Sequence, residues 1–410
     1  MRILHTSDWH LGRTLYGKKR YDEFEQFLTW LAEQINQLNI DVLLVAGDVF
    51  DTTAPSNRSQ ELYYQFLCKV AASPCRYVVI IAGNHDSPSF LEAPKALLKA
   101  LHVYVIGSTT DDLENEVLVL GQAEQAPELI VGAVPYLRDK EVRQAEVGET
   151  FEDKERKLLQ GICSHYAKIG ALAAQKRQQS GLAIPVVGMG HLFTAGGATV
   201  DGDGVRDLYV GSLAQVSANC FPESFNYLAL GHLHVPQKVG GSETIRYSGS
   251  PLPMGFGEAT QQKSICLIEF TGLIPSVQLV EVPLFRTLRR IKGDWEHIAA
   301  ELKKLQDNCF KGWLEIIHEG SEVLGDLRQR IEALNNVPSP LEILRIKNNR
   351  IIDGILEQSP DGETLDTLNV HEVFNRCLVA NRIPEMQRQE LVHSFNEILT
   401  MLADADPLAQ

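Results

Sequence analysis

The stretch Val42-Leu-Leu-Val-Ala-Gly-Asp48 is a short apolar run that ends in a glycine and an aspartate. An apolar run without polar alternation is typical of a strand that is buried on both faces of a parallel sheet. Tyr77-Val-Val-Ile-Ile-Ala82 repeats this pattern, and residues 2–5 at the start of the chain are also predicted to form a strand. Apolar residues at helical spacing occupy the intervening segments 21–37 and 59–71. This alternation predicts βαβ units built around a parallel sheet.

A polar motif follows each of these three predicted strands and two later ones. The five motifs, in chain order, are Asp8-Trp-His10, Gly47-Asp-Val-Phe-Asp51, Gly83-Asn-His-Asp86, Gly190-His191 and Gly231-His-Leu-His234. Ligands of open α/β sheets bind at the carboxyl ends of the strands, so the motifs are expected to converge on one site. Aspartate, asparagine and histidine without cysteine form an oxygen and nitrogen donor set, which suits Mn²⁺, Mg²⁺, iron or Zn²⁺.

The ordered set of motifs resembles the calcineurin-like metallophosphoesterases over roughly residues 1–270. Tyr247-Ser-Gly-Ser-Pro251 and Glu372-Val-Phe-Asn-Arg376 extend the resemblance to those members of the family that are nuclease subunits acting with an SMC-type ATPase. The resemblance implies an α/β fold, in which two sheets form a sandwich flanked by helices. It also implies two divalent metal ions as cofactors, with Mn²⁺ expected and Mg²⁺ as the alternative.

The same resemblance implies a role for each motif residue. The residues expected to bind the two metal ions, with the carboxylate of Asp48 bridging them, are Asp8, His10, Asp48, Asn84, His191, His232 and His234. His85 is expected to be catalytic, orienting the phosphate or protonating the leaving oxygen, and Asp86 is expected to fix its tautomer. Asp51 is expected to accept an N–H from a ligand imidazole.

The chain is long enough for one large α/β domain and smaller appended modules. We predict a metallophosphoesterase domain over residues 1–283, in which the strands after about residue 237 form a mainly antiparallel second sheet. A small α+β domain that caps DNA is expected over 284–350, and a polar linker over 351–368. Two helices are expected over 369–410. The resemblance implies that they dock the coiled coil of the ATPase, and the alternative is that they cover the protein's own core.

The formal charge of the chain is −15, from 38 basic and 53 acidic residues, which argues against a polyanionic partner. Residues 1–100 hold three of the five motifs and carry 10 basic and 11 acidic residues, so the acidity lies mostly elsewhere. DNA is therefore not excluded, although binding by this chain alone should be weak and sensitive to salt. The basic residues predicted to contact DNA, each with a solvated surface as the alternative role, are Arg13, Lys18, Lys19, Arg20, Arg289 and Arg290.

The seven cysteines are scattered and form no C-x-x-C pair, so we expect reduced thiols in a cytoplasmic protein. No apolar run approaches the ~18–20 residues that cross a bilayer, and the first residues are typical of a strand and not of a signal peptide. We therefore expect no membrane association, and a nucleoid location when the protein is bound to DNA. The sequence contains no G-x-x-x-x-G-K-[ST] motif, so no nucleotide site is expected in this chain.

Three hypotheses of function follow from these features. The first, by resemblance, is a metal-dependent DNA nuclease for repair, recombination and replication that forms a homodimer within a heterotetramer with its ATPase. It would act as an exonuclease on double-stranded ends and as an endonuclease on single strands and hairpins. The second is a phosphoesterase acting on a small phosphodiester or a phosphoprotein, and the third is a non-catalytic scaffold.

Overall fold

The structure is a computed structural model of the 410-residue chain. It describes residues 1–121, 126–143, 146, 148–199, 216–320, 324, 326–334 and 340–348, and nine separate residues between 371 and 395. The chain divides into two compact units between Thr287 and Leu288, against a predicted boundary after residue 283.

The first unit alternates strands and helices. Its strands are β1 (Arg2–Thr6), β2 (Thr14–Leu15), β3 (Lys18–Lys19), β4 (Val42–Ala46), β5 (Tyr77–Ile81), β6 (Val103–Ile106), β7 (Val117–Leu120), β8 (Leu129–Ala133), β9 (Val186–His191), β10 (Tyr227–Gly231), β11 (Gln237–Lys238), β12 (Ile245–Tyr247), β13 (Ser264–Thr271) and β14 (Ile274–Glu281). Its α-helices are α1 (Tyr21–Gln37), α2 (Asn57–Ala71), α3 (Pro88–Glu92), α4 (Lys95–Ala100), α5 (Asp139–Val142) and α6 (Phe151–Ser180). None of the helices in the described part of the chain is long and apolar enough to cross a membrane.

Two six-stranded sheets organise the first unit, with strand orders β14-β13-β1-β4-β5-β6 and β11-β12-β10-β9-β8-β7. In the first sheet β1, β4, β5 and β6 are parallel, while β13 and β14 extend it as antiparallel strands. In the second sheet the central strands β12, β10, β9 and β8 are parallel. The prediction of a mainly antiparallel second sheet from the strands after residue 237 is wrong. The strand β13 belongs to the first sheet, where Leu267 lies opposite Leu4 of β1.

The core has three apolar layers. One lies between the two sheets, and each of the others covers the outer face of one sheet. Apolar side chains from both sheets, such as Val42 of β4 and Met189 of β9, pack between them. The outer face of the first sheet is covered by α1 and α2, and the outer face of the second by α6. The apolar residues that predicted α1, from Phe24 to Ile35, are buried on its inner side. The predicted α/β sandwich with flanking helices is confirmed.

The second unit is a small α/β module. It contains β15 (Leu288–Gly293), α7 (Trp295–Asp307), β16 (Gly312–His318), α8 (Leu327–Leu334) and β17 (Leu341–Asn348). The three strands form a parallel sheet in sequence order, and residues such as Leu302, Leu314 and Ile331 join both helices to one face of the sheet. The predicted linker and helix pair lie almost wholly outside the described residues. Among those that are described, the rings of Phe374 and Phe395 stack with centroids 3.9 Å apart.

A disulfide joins Cys163 of α6 to Cys220, with Cα atoms 5.0 Å apart. The expectation that every thiol is reduced is wrong for this pair. The two cysteines are 57 residues apart in the sequence. This spacing does not indicate that α6 lies beside the short 3-10 turn Ala218–Cys220. The expectation of reduced thiols agrees with Cys75 and Cys266, which are buried, and with Cys68 and Cys309, which are exposed.

Alkylation of the denatured but unreduced protein should leave Cys163 and Cys220 unlabelled, as measured by peptide mass spectrometry. The Cys163→Ser variant should lose up to about 4 kcal/mol of unfolding free energy, because the cross-link closes a long loop in the unfolded chain. Cys309→Ser, which changes an exposed free thiol, is the control and should leave stability unchanged. Full labelling of both cysteines before reduction would contradict the bond.

Candidate metal centre

The predicted site residues lie at the carboxyl ends of strands that are parallel within their sheets. Asp8 and His10 follow β1, Asp48 follows β4, Asn84 and His85 follow β5, His191 ends β9, and His232 and His234 follow β10. Parallel strands bring these ends to one edge of each sheet, which is where ligands bind in such folds. The two sheets face each other, so residues from both edges meet.

One group of donor atoms comes from Asp8, His10 and His234, whose candidate ligand atoms all lie within 4.8 Å of one another. The Nε2 atoms of His10 and His234 are 3.2 Å apart. Nδ1 of His10 lies 3.2 Å from a carboxylate oxygen of Asp51. This nearby negative charge favours the proton on Nδ1 and the lone pair on Nε2, which faces inward. The expected role of Asp51 as acceptor for a ligand imidazole thus agrees with this distance.

A second group comprises Asp8, Asp48 and His191, again with ligand atoms within 4.8 Å. Nδ1 of His191 donates to the carbonyl oxygen of Ala46 at 3.0 Å, so its Nε2 carries the lone pair. That Nε2 faces two oxygens, Oδ1 of Asn84 at 3.0 Å and Oδ2 of Asp48 at 3.3 Å. A lone pair that faces two oxygens is favourable only with a cation or a proton between them. The donor set therefore fits a metal ion.

The Asp48 carboxylate lies between the two groups. Its Oδ2 is 3.3 Å from Nε2 of His191 and 3.6 Å from Nε2 of His10. A carboxylate between two such groups is what a two-metal site requires. His232 completes the second side, because its ring centroid is 5.4 Å from that of His191 and its backbone N–H donates to Asp8 at 2.9 Å.

The centre is buried, and its electrostatics follow from that burial. Burial raises the pKa of Asp8 and lowers the pKa of His10 to about 4. Burial also opposes the charge of Asp48, but the neighbouring His191 and His10 outweigh it and hold the pKa of Asp48 well below its usual range. Two carboxylates and several imidazoles in so dry a site fit divalent cations, which would neutralise the acids that burial disfavours.

Backbone strain is concentrated at the same residues. Asp8, His10, Asp48 and His232 have φ angles of 54°, 47°, 49° and 105°. Left-handed conformations of this kind cost roughly 1–3 kcal/mol each in non-glycine residues and persist only where surrounding contacts enforce them. Here the N–H of Asp8 donates to the carbonyl of Gly47 at 3.0 Å, and the N–H of His10 to that of Asp48 at 3.0 Å. The strands thus hold the donors in place at a conformational cost.

The glycines that precede the ligand residues allow neighbouring loops and strand ends to approach one another closely. A Cβ atom on Gly83 would lie 2.1 Å from Oδ1 of Asp48, and one on Gly231 would lie 1.8 Å from the carbonyl oxygen of Ala46. Neither position has room for a side chain. The glycines in the motifs are therefore explained by packing around the donor atoms.

His85 lies beside this centre, with its ring centroid 4.7 Å from that of His10. Its backbone N–H donates to Oδ1 of Asp48 at 2.9 Å. Its Nδ1 donates to the carbonyl oxygen of Asp51 at 2.8 Å, which fixes the tautomer and leaves Nε2 able to accept a proton.

The predicted role of Asp86 in fixing the His85 tautomer is wrong. The Asp86 carboxylate instead accepts backbone N–H groups from Val49, Phe50 and Gly83 at 3.1, 2.9 and 2.9 Å. These bonds join the loops after β4 and β5. Asp86 is therefore a structural residue of the centre, and the carbonyl oxygen of Asp51 is what fixes the His85 tautomer.

Arg20 is buried, with 1% of its surface exposed, so its predicted contact with DNA is wrong. Its guanidinium donates to the Glu23 carboxylate at 3.1 and 2.7 Å and to the carbonyl of Pro253 at 2.7 Å. Arg20 belongs to a basic run in sequence, but its side chain turns into the protein towards a buried acid. Arg13 pairs with Asp51 at 3.2 Å and so lies next to the centre.

The remaining basic candidates lie on the surface. Lys18 and Lys19 form the exposed strand β3 of a short hairpin. Arg289 and Arg290 belong to the second unit, where each forms an ion pair, at 3.2 and 2.5 Å. Within the first unit, Arg13 is the candidate that the structure brings together with the metal donors.

Sequence reasoning missed several polar residues that support the donors. Ser7 donates to Oδ2 of Asp8 at 2.5 Å and lies 2.8 Å from the hydroxyl of Ser248. Glu258 lies 3.6 Å from Nδ1 of His234. The stretch Tyr247-Ser-Gly-Ser-Pro251 contributes to the family resemblance, and that signal could have suggested Ser248. No motif spacing indicated Glu258, which is 24 residues from His234.

Comparison with known proteins agrees with this geometry. Residues 1–153 match the profile of the calcineurin-like phosphoesterases, and residues 284–382 match a profile described as the type 5 capsule protein repressor C-terminal domain. The fold and the donor set thus define a calcineurin-like phosphoesterase. The SbcD subunit of the nuclease SbcCD from Escherichia coli K12 is 36% identical over 406 residues, which cover 98% of this chain and 99% of that protein. The chain belongs to the SbcD family.

Other members of the family match a smaller part of the chain at similar identity. The SbcD subunit of the nuclease SbcCD from Bacillus subtilis 168 is 37% identical over 272 residues, or 66% of each chain. The corresponding protein of Rhodobacter capsulatus is 35% identical over 281 residues, covering 66% of this chain and 67% of its own.

The Arg20→Met variant should lose about 3 kcal/mol of unfolding free energy, because the buried Glu23 carboxylate loses both of its contacts with Arg20 and keeps the one with Arg286 at 2.9 Å. Urea unfolding of the purified protein measures the loss. Lys19→Met removes an exposed charge from the adjacent position and should change stability by less than about 0.5 kcal/mol. Equal, small effects of the two substitutions would show that Arg20 is not the buried structural residue described above.

Proposed function

We propose that this chain is the catalytic subunit of an SbcCD-type DNA nuclease and hydrolyses phosphodiester bonds with two divalent metal ions. The observation that carries the proposal is the position of Asp48, whose Oδ2 lies 3.6 Å or less from imidazole nitrogens of both donor groups. Membership of the SbcD family supports the nucleic-acid substrate, because its relatives are named as subunits of a nuclease.

In the proposed site Asp8, His10 and His234 would hold one ion, and Asn84, His191 and His232 would hold the other, with Asp48 available to both. When bound, two such ions activate a water molecule and neutralise charge on the phosphoryl oxygens, with Mn²⁺ as the expected metal. Asp51 keeps the His10 lone pair directed inward through its 3.2 Å contact with Nδ1. Burial of the donors excludes bulk water and strengthens every electrostatic contact in the site.

His85 is proposed as the residue that handles the proton or orients the phosphate. Its Nδ1 is committed to the carbonyl oxygen of Asp51 at 2.8 Å, so Nε2 is the nitrogen that exchanges a proton. In its protonated form this Nε2 can donate to the leaving oxygen of the phosphodiester. Arg13, next to Asp51, and the exposed Lys18 and Lys19 are proposed to contact phosphates of the same strand.

The wider assembly is proposed from the family. We propose exonuclease activity on double-stranded ends and endonuclease activity on single strands and hairpins, in a homodimer that joins an SbcC-type ATPase. The second unit, with Arg289 and Arg290, would cap the DNA, and the C-terminal helices would dock the coiled coil of the ATPase. Among the described residues of those helices, Val379 and Leu391 are 51% and 39% exposed, which suits an apolar contact. The complex would work in the cytoplasm, on the nucleoid.

The wild-type protein should cleave a labelled hairpin DNA in the presence of Mn²⁺, and His85→Gln should cleave it at least about 100-fold more slowly. Because His85 is not among the proposed ligands, calorimetry should show unchanged Mn²⁺ binding by this variant. His297→Gln changes an exposed histidine of the second unit and is the control.

Cleavage by His85→Gln at the wild-type rate would remove His85 from the mechanism. Turnover of a generic phosphodiester without cleavage of any DNA, under every metal tried, would favour a phosphoesterase for small substrates instead.

A further inference from the structure

Glu258 is a fully buried acid beside the metal centre and belongs to none of the five motifs. It ends the short 3-10 turn Phe256–Glu258, which precedes β13. Its Oε1 lies 3.6 Å from Nδ1 of His234, on the side of the imidazole opposite to the Nε2 that faces His10. A charged group in this position requires a physical explanation, because burying a carboxylate is costly.

The other carboxylate oxygen of Glu258 is held firmly. Oε2 accepts the backbone N–H of Met254 at 3.0 Å and pairs with the ammonium of Lys263. Lys263 is itself buried, with 3% of its surface exposed. Its Nζ also donates to the carbonyl oxygen of His234 at 3.0 Å and to the hydroxyl of Ser250 at 3.1 Å. The pair therefore contacts His234 twice, through the ring and through the main chain.

We propose that Glu258 and Lys263 are a positioning pair for the ligand His234. Glu258 attracts the proton of the imidazole to Nδ1 and so directs the Nε2 lone pair at the metal, while Lys263 fixes both the carboxylate and the main chain of His234. The inference rests on the proposed function, because it concerns a residue that holds metal there.

The opposite side of the centre has the same arrangement. Asp51 lies 3.2 Å from Nδ1 of His10, and the Nε2 atoms of His10 and His234 face each other at 3.2 Å. Each of these imidazoles thus has a carboxylate near its Nδ1, and its Nε2 faces the metal centre. A carboxylate that contacts the far nitrogen of a ligand histidine fixes its tautomer and raises its basicity towards metal.

Lys263 supplies the opposite charge that a buried carboxylate requires. Stability alone does not explain the pair, because a buried ion pair can often be replaced by apolar residues of similar size without loss of stability. The contact with His234 supplies a reason for the two charges.

The test is Mn²⁺ binding measured by calorimetry on full-length protein stripped of metal. Glu258→Gln keeps the size of the side chain but loses its charge, and it leaves the Lys263 ammonium buried without its acid. We therefore pair it with the double variant Glu258→Gln/Lys263→Met, which removes both charges together. Thermal unfolding of each metal-free protein shows whether the variant is folded.

In both variants the affinity for one Mn²⁺ ion should fall by about 10- to 100-fold, as when other outer contacts of metal ligands are removed. The Mn²⁺ concentration that gives half-maximal DNA cleavage should rise by the same factor, whereas kcat at saturating Mn²⁺ should stay within about threefold of the wild type. If the pair had only a structural role, the variants would lose stability, and the affinity for Mn²⁺ would not fall while kcat stayed near that of the wild type.

Glu116→Gln is the matched control. Glu116 is also a buried acid, with 1% exposure, and it lies 2.7 Å from Nε2 of His165 on α6, outside the metal centre. This substitution should leave Mn²⁺ affinity unchanged. A folded double variant that binds Mn²⁺ with wild-type affinity would overturn the positioning role and leave the nuclease proposal intact. A wild-type protein that binds no Mn²⁺ would overturn the proposed function and this inference together.

Discussion

The burial of the Asp48 carboxylate between two sets of imidazoles is the constraint on which the rest of the first unit depends. An ionised acid with 1% of its surface exposed is unfavourable unless neighbouring groups compensate it. His191 and His10 lower the pKa of Asp48, and their Nε2 atoms lie 3.3 and 3.6 Å from its Oδ2. The two imidazoles belong to strand ends of different sheets. The sandwich must therefore hold its two sheets in one relative position. The apolar layer between them supplies that rigidity.

The local backbone conformation also brings the donor side chains together. The left-handed φ angles at Asp8, His10 and Asp48 are costly, and they turn the side chains away from the sheets and towards one another. Gly83 admits the Asp48 carboxylate where a side chain would collide with it. The strain is localised at the ends of strands whose centres are regular and apolar. The regular, buried parts of the strands thus hold the strained residues at their ends in place.

The sequence was informative wherever a signal was local. Apolar spacing predicted α1 with its observed bounds, and the unbroken run of β4 is buried along its whole length. The five motifs indicated the donor set, because parallel topology makes the end of each strand a predictable place. His191 belongs to a motif of only two residues, and it still lies within the centre.

The sequence was uninformative wherever the partner was distant along the chain. The pairing of β13 with β1 joins residues more than 250 positions apart. Charge runs are usually exposed, which is why Arg20 was predicted on the surface, but its packing against Glu23 and the Pro253 carbonyl decides otherwise. The contacts of Asp86 and Glu258 were likewise not indicated by the sequence. Each is one acid among many in the sequence, and only the folded chain shows which backbone or imidazole nitrogen it contacts.

The most direct test of the account is anomalous diffraction from crystals grown with Mn²⁺. Two separate peaks should lie next to the Asp48 carboxylate, one beside His10 and His234 and the other beside Asn84 and His191, about 3.5–4 Å apart. A single peak that does not contact Asp48, or two peaks that do not share it, would contradict the central role assigned to this carboxylate.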